Sequence, residues 1–276
     1  MAVRRSSSTK GQGVHAEPAF VLHRYDWSES SLILELFTRH LGRVTAIAKG
    51  VRKPASSFRS VLLPFQPLSV SLSANAQIRT LRGAEWVGGY AMPTGLPLLV
   101  GFYLNELIMR LLARDDVNTD VFDAYSQILT VVAKTQAELS VEPALRAFEL
   151  LLLQAIGVLP ELDRDSLTLE TLEDEKRYTL DPENGLIPVV TANFNTKEKV
   201  IVRSQASLPG KSWQLISQAM NENLSPELLQ KIIEQVDYGE LKNNLRILLS
   251  YHTGGGVLKT RQMMKNIQKE LKNIGF

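Results

Sequence analysis

A chain of 276 residues, 44% hydrophobic and 22% charged, has enough apolar mass for two modest domains, each with its own core. It contains no cysteine, which excludes disulfides, thiolate zinc sites and a cysteine nucleophile. The formal net charge of +2 hides an asymmetry: residues 1–95 carry 12 basic against 5 acidic side chains, residues 96–180 carry 7 against 15, and residues 257–276 carry 5 against 1. A basic first third and a basic tail around an acidic middle point to a polyanionic partner.

Residues 1–16 read as a flexible basic arm rich in Ser, Gly and charge, without the apolar core of a secretory signal. Strand-like runs then follow closely. "AFVLHRYDW" (residues 19–27) leads to "LILELFT" (32–38), and a turn at "RHLG" opens "RVTAIAKGVR". "FQPLSVSLS" alternates Leu68, Val70 and Leu72 with serines, the period of a half-buried strand, and "IRTLRGAEWV" (78–87) supplies a fifth. The segment "KPASSFRSVLLP" between the third and fourth strands is long enough for a turn or one short helix. Five strands with a helix in that place is the order of an OB-fold barrel, which commonly lays single-stranded nucleic acid across one face. The expected barrel domain covers residues 17–92.

From residue 93 the period becomes helical. "LLVGFYLNELIMRLLAR", "VFDAYSQILTVVAK" and "EPALRAFELLLLQAIGVLP" are helices, the last opened by Pro143 and closed by Gly157 and Pro160. Their polar interruptions, among them Asn105, Glu106, Arg110, Arg146 and Glu149, argue against membrane spans. An irregular polar insertion over about residues 160–200 follows, then "KSWQLISQAM", "SPELLQKIIEQV" and "LKNNLRILLSYHTGG" as further helices, and a basic C-terminal segment. The expected fold class is α+β: an N-terminal five-stranded OB-fold barrel, then a helical domain over residues 93–276. A cytoplasmic, nucleoid-associated protein is expected.

The sharpest signal is a run without one Asp or Glu. Residues 36–84 carry Arg39, Arg43, Lys49, Arg52, Lys53, Arg59, Arg79 and Arg82. Phosphate contacts need cations that follow a backbone and do not depend on base identity. Arg43 and Lys49 are an even number apart, so an unbroken strand would put both on one face. The neighbouring aromatics Tyr25, Trp27, Phe58 and Phe65 divide between core packing and base stacking, with core the commoner fate. An enzyme is not expected: His15, His23, His40 and His252 lie far apart, no nucleophile turn is visible, and the runs Asp115–Asp116 and Glu173–Glu175 place adjacent carboxylates on different faces. "YHTGGGVLKT" lacks the Gly directly before Lys that a phosphate loop requires.

The pieces "AFVLHRYDWSESSLILELFT", "GRVTAIAKGVRKP", "LLPFQPL", "GFYLNEL", "EPALRAFELLLL" and "LKTR", in that order, resemble the bacterial RecO family of recombination mediators over residues 19–264. The resemblance implies an OB-fold joined to a helical domain, binding of single- and double-stranded DNA, annealing of complementary strands, and action with RecR to help RecA displace single-strand-binding protein (SSB). It also implies a second DNA patch at Lys259 and Arg261, with Lys265, Lys269 and Lys272 beyond. A pocket of the helical domain would dock the acidic, aromatic-ended SSB tail; Arg146 would be its rim cation, with Leu145, Phe148 and Leu152 as its apolar wall. Some family members hold a structural zinc with four cysteines in the insertion; residues 160–188 have none, so the resemblance is to the zinc-free subgroup, and neither metal nor cofactor is expected. The competing reading is an RNA-binding or RNA-chaperone OB protein whose helical half is a platform.

Overall fold

The computed structural model describes residues 14–74, 77–89, 92–134, 141–189, 206–221, 231–256 and 258–274. Most of the expected N-terminal arm and part of the insertion lie outside them. The chain forms two compact units. One joins the described residues up to Met92 with Ala113–Phe122; the other joins Pro93–Leu112 with Asp123–Phe276.

The first unit is a closed barrel of β1 (Val14–Asp26), β2 (Leu32–Thr38), β3 (Gly42–Ala48), β4 (Leu68–Leu72) and β5 (Arg79–Trp86), in the order β1-β2-β3-β5-β4. All pairs are antiparallel except β3–β5. Strand β1 is longer than its apolar run suggests because it serves two neighbours: residues from Val14 to Ala19 pair with β4, and those from Ala19 to Asp26 with β2. Register shifts between Val14 and Glu17 and between Val21 and His23 bend it between them. Period-two alternation sends Leu34, Leu36, Val44, Ala46, Val70 and Leu72 into the barrel. Ile33, Glu35 and Phe37, with Arg43, Thr45 and Ile47, therefore face outward.

Of the two forms expected between the third and fourth strands, a turn or one short helix, the structure has a chain of turns. Lys53 N–H bonds to Gly50 O, Ser56 to Lys53 and Arg59 to Ser56, each turn starting where the previous one ends, and Val61 and Leu62 both bond to Phe58 O. Pro54 has no N–H to give and the serines favour local turns, so the i→i+4 pattern goes no further than the single Leu62–Phe58 bond. Val51 and Leu62 anchor the segment to the barrel core, with Phe58 partly buried against it.

Residues 113–122 lie across the outer face of β2 and β3. Asp115 N–H donates to Arg43 O at 2.9 Å, and the Phe122 ring sits 5.4 Å from Phe20 and 5.3 Å from Phe37. Gly42 is where the segment comes closest: its φ is +70°, and a Cβ there would overlap the Asp116 carbonyl.

The second unit contains α1 (Leu96–Leu111), α2 (Thr119–Lys134, of which the first turn belongs to the barrel unit), α3 (Glu142–Ala155), α4 (Gly210–Asn221), α5 (Tyr238–His252) and α6 (Lys259–Ile274). Helix α6 packs on α1, and α5 on α3. The insertion expected to be irregular contributes β6 (Arg177–Asp181) and β7 (Gly185–Pro188) to a small sheet that β8 (Leu208–Pro209), beyond it, completes in the order β7-β6-β8. The "DPENG" turn makes β6–β7 a hairpin. Packing and hydrogen bonds hold it: Trp213 is fully buried and donates to Tyr178 O at 3.2 Å, while Asn244 Oδ1 accepts from Leu180 N–H at 2.8 Å. No described helix is long and apolar enough to cross a membrane.

Candidate nucleic-acid interface and helical pocket

The eight cations of the acid-free run do not form one surface. Arg43 is half-buried on the outer face of β3, with its Nε 3.9 Å from Glu35. Glu35 is almost fully buried; it also accepts from Thr45 Oγ1 at 2.9 Å and from Arg114 Nη2 at 2.6 Å. Burial pulls the Arg43 pKa down, and the Glu35 charge offsets only part of that. Arg43 thus sits in an ion cluster with Glu35 and Arg114, apart from the exposed cations of the loop after β3. Arg79, also buried, reaches Asp115 at 3.5 Å. The expected pairing of Arg43 with Lys49 on one strand face fails because β3 ends at Ala48 and Lys49 begins the turns.

The loop after β3 is different. Lys49, Arg52, Lys53 and Arg59 are all exposed, and among the described residues only Arg52 has a carboxylate partner, Asp26 at 3.4 Å. Beside the loop lies a cleft of about 490 Å³, lined by Arg24, Asp26, Leu32, Val51, Arg52 and Arg59 with Leu62. Arg24 was not anticipated. It occupies the same side of β1 as Asp26, and its Nη1 donates to Leu62 O at 3.1 Å, tying the strand to the loop. Tyr25 and Trp27 at the end of β1 are exposed, Trp27 at 62%, whereas Phe65 is wholly buried. Arg39 lies half-buried in the β2–β3 turn, donating to His40 Nε2 at 3.2 Å, next to the Glu17 carboxylate that holds His40. Arg52 N–H donates to Ser30 O, so the turn holding Trp27 adjoins the loop, whereas Tyr25 faces the other side of β1 from Arg24; an exposed ring near cations can stack a base while phosphates are neutralised.

The helical unit contains an apolar pocket of about 190 Å³. Val100, Tyr103, Leu145 and Met264 line it; Lys242, Arg246, Arg261 and Lys265 bring four cations to it besides the buried Arg146, and Glu142 one carboxylate, paired with Lys242. Leu145 is where the sequence placed it. Phe148 and Leu152 are not part of the wall: both are buried in the core, with Phe148 6.4 Å from the Tyr125 ring. Arg146 lines the pocket but is no rim cation. It is 3% exposed, and its Nη1 lies 2.7 Å from Glu149 Oε2. Glu149 Oε1 accepts from the Tyr103 hydroxyl at 2.6 Å. Burial opposes the Arg146 charge most strongly, but Glu149, Tyr103, Tyr238 and Glu142 together outweigh it and raise the guanidinium pKa; burial and Glu149 together push the Tyr103 pKa well up. The ion-pair angle is poor, so Arg146 Nε and Nη1 have no hydrogen-bond partner among the described residues.

Lys259 and Arg261 lie on different sides of α6. Lys259 is exposed at the start of α6, while Arg261 lines the pocket, as expected for residues two apart on a helix. The start of α6 is held by Glu106 of α1, whose carboxylate accepts from Lys259 N–H at 3.0 Å, Thr260 N–H at 3.0 Å and Thr260 Oγ1 at 2.8 Å, and pairs with Arg110 at 2.8 Å. Burial works to raise the Glu106 pKa, but the bonds from Thr260 and Lys259 and the Arg110 charge hold it below its ordinary 4.5. A depressed carboxylate pKa stabilises the fold above the unfolded value and loses that contribution as pH falls through the folded one. In urea melts, Glu106→Gln should therefore lie furthest below wild type at neutral pH, with the gap closing as pH drops below about 4.5. A gap that stays constant with pH would contradict this.

Fold and sites together define a class: an OB-type barrel with a cationic loop and exposed rings, joined to a helical unit with a cation-rimmed apolar pocket. The comparisons are specific. Family models for the N-terminal and C-terminal regions of Recombination protein O match residues 14–90 and 94–261. DNA repair protein RecO of Verminephrobacter eiseniae is 51% identical over 256 residues, 91% of this chain and 96% of its own length. That of Polaromonas sp. is 51% identical over 253 residues (91% and 96%), and that of Variovorax paradoxus 48% over 261 (92% and 97%). The chain belongs to the Recombination protein O family.

Proposed function

We propose that this protein is a recombination mediator in DNA repair. Its barrel binds DNA through the phosphate backbone, it anneals complementary strands, and it acts with RecR to help RecA load where SSB covers the strand. The work is binding and rearrangement of strands in the cytoplasm, and no covalent bond need be broken. The observation that carries the reading is the set Lys49, Lys53 and Arg59, exposed and without a carboxylate partner among the described residues, in a loop that Arg52 N–H ties to Ser30 O in the turn holding exposed Trp27. A surface with that composition neutralises phosphates and accepts base faces whatever the sequence.

The helical pocket extends the reading to a protein partner. An acidic tail ending in an aromatic residue, such as that of SSB, matches an apolar cavity surrounded by cations, and the spare Arg146 donors in its wall suit a carboxylate. This assigns Leu145 and Arg261 to the peptide, with Arg146 acting from the wall.

Fluorescence anisotropy of a labelled oligonucleotide across a salt series tests the barrel assignment, comparing wild type with Arg52→Glu/Lys53→Glu/Arg59→Glu. Each phosphate neutralised on a single strand contributes about 0.7 to the log–log salt slope, so the variant should bind more weakly, with a slope shallower by about 2. Unchanged affinity and slope would overturn the assignment.

A further inference from the structure

A second cavity, of about 310 Å³, runs along α5 and α6 beside the apolar pocket. Arg246, Arg261, Lys265 and Lys269 line it with Gln262 and Asn266, and no Asp or Glu does. Residues 261, 265 and 269 follow at i, i+4 and i+8, so one face of α6 presents a cation about every 6 Å. Gln262, Asn266 and Ser250 add uncharged groups of the kind that contact phosphate oxygens. Among the described residues none of the four cations is in an ion pair, in contrast to Arg43, Arg52 and Arg79 of the barrel.

Three of these cations serve both cavities: Arg246, Arg261 and Lys265 line the groove and the apolar pocket alike. The fourth cation of the pocket, Lys242, is already held by Glu142 at 3.1 Å. Apart from the buried Arg146 in the wall, a ligand in the pocket that carries carboxylates pairs with the three shared cations. A phosphodiester strand in the groove needs the same three.

We propose that the α5–α6 groove is a nucleic-acid backbone site separate from the barrel loop, and that a strand lying in it and an acidic peptide in the pocket exclude one another. The inference rests on the peptide reading given above and adds its regulation: a protein tethered through an acidic tail is released when nucleic acid fills the groove. By linkage the effect is reciprocal, so the peptide lowers nucleic-acid affinity at this site by the same factor.

The test uses the full chain, a labelled Asp-Asp-Asp-Leu-Phe peptide with a free C-terminus, and unlabelled dT20 at low salt. With peptide bound, saturating dT20 is expected to raise its apparent Kd by about tenfold, within the usual range for coupled sites. Lys269→Glu, which alters the groove but not the pocket, should leave the peptide Kd unchanged and weaken displacement by dT20. Arg261→Glu should weaken peptide binding itself. In the barrel variant Lys53→Glu/Arg59→Glu, displacement should persist. Peptide that binds but is not displaced, or displacement abolished by the barrel variant and untouched by Lys269→Glu, overturns the proposal and leaves the peptide pocket standing. Peptide that fails to bind wild type at all overturns both.

Discussion

Glu149→Ala is expected to lower the free energy of unfolding by about 3–5 kcal/mol, because it leaves a guanidinium charged, buried and unpaired. Arg146 is 3% exposed and Glu149 fully buried, so water cannot replace the lost partner, and the Tyr103 hydroxyl loses its acceptor at the same time. A domain of ordinary stability has only about 5–15 kcal/mol to lose. The double variant Arg146→Met/Glu149→Leu removes both charges and should recover most of the loss, since apolar replacements of a buried pair are often neutral or better. Urea melts of the three proteins measure this. A cost below about 1 kcal/mol for Glu149→Ala, in the range of an exposed pair, would mean that the pair is hydrated in solution. The same pair keeps Arg146 charged against the pocket, so the double variant should also bind the acidic peptide more weakly while folding normally.

The barrel was legible because its strands alternate strictly: Leu68, Val70 and Leu72 point inward as their spacing requires, and the same holds for Leu34 and Leu36. The charges were less legible, and the reason is distance along the chain. Glu35, which engages Arg43 and Arg114, stands one residue outside the acid-free run, and the partner of Arg79 is Asp115, 36 positions on. Nothing in a local window shows that residues 113–122 return to cover the outer face of β2 and β3. Arg146 is a different matter. Its partner Glu149 is three residues away on the same helix, a spacing that marks an ion pair, so the sequence did contain the signal against a free rim cation. The pocket itself was half legible: α3 supplied Leu145, but the cations come from α5 and α6, which only the fold brings to it. Arg24 went unnoticed because it precedes the basic run and is joined to it only through Leu62 O.

Coverage of the barrel face by residues 113–122 yields the second large effect. Phe122→Ala should cost about 3–5 kcal/mol, the range for deleting a buried aromatic ring, since the ring is 5% exposed and packed between Phe20 and Phe37. Three consequences separate this from a generic core lesion. Amide exchange should accelerate at Asp115, whose N–H donates to the Arg43 carbonyl. Gly42→Ala should give a similar exchange pattern from the other side of the contact, since a Cβ at φ +70° overlaps the Asp116 carbonyl and forces the segment away. Uncovering Glu35 would add a carboxylate to the outer face, so oligonucleotide affinity should fall or stay level, and should not rise. A rise in affinity would mean that residues 113–122 mask a nucleic-acid surface on β2 and β3, and the binding site would then have to be moved from the loop after β3 to the strands themselves.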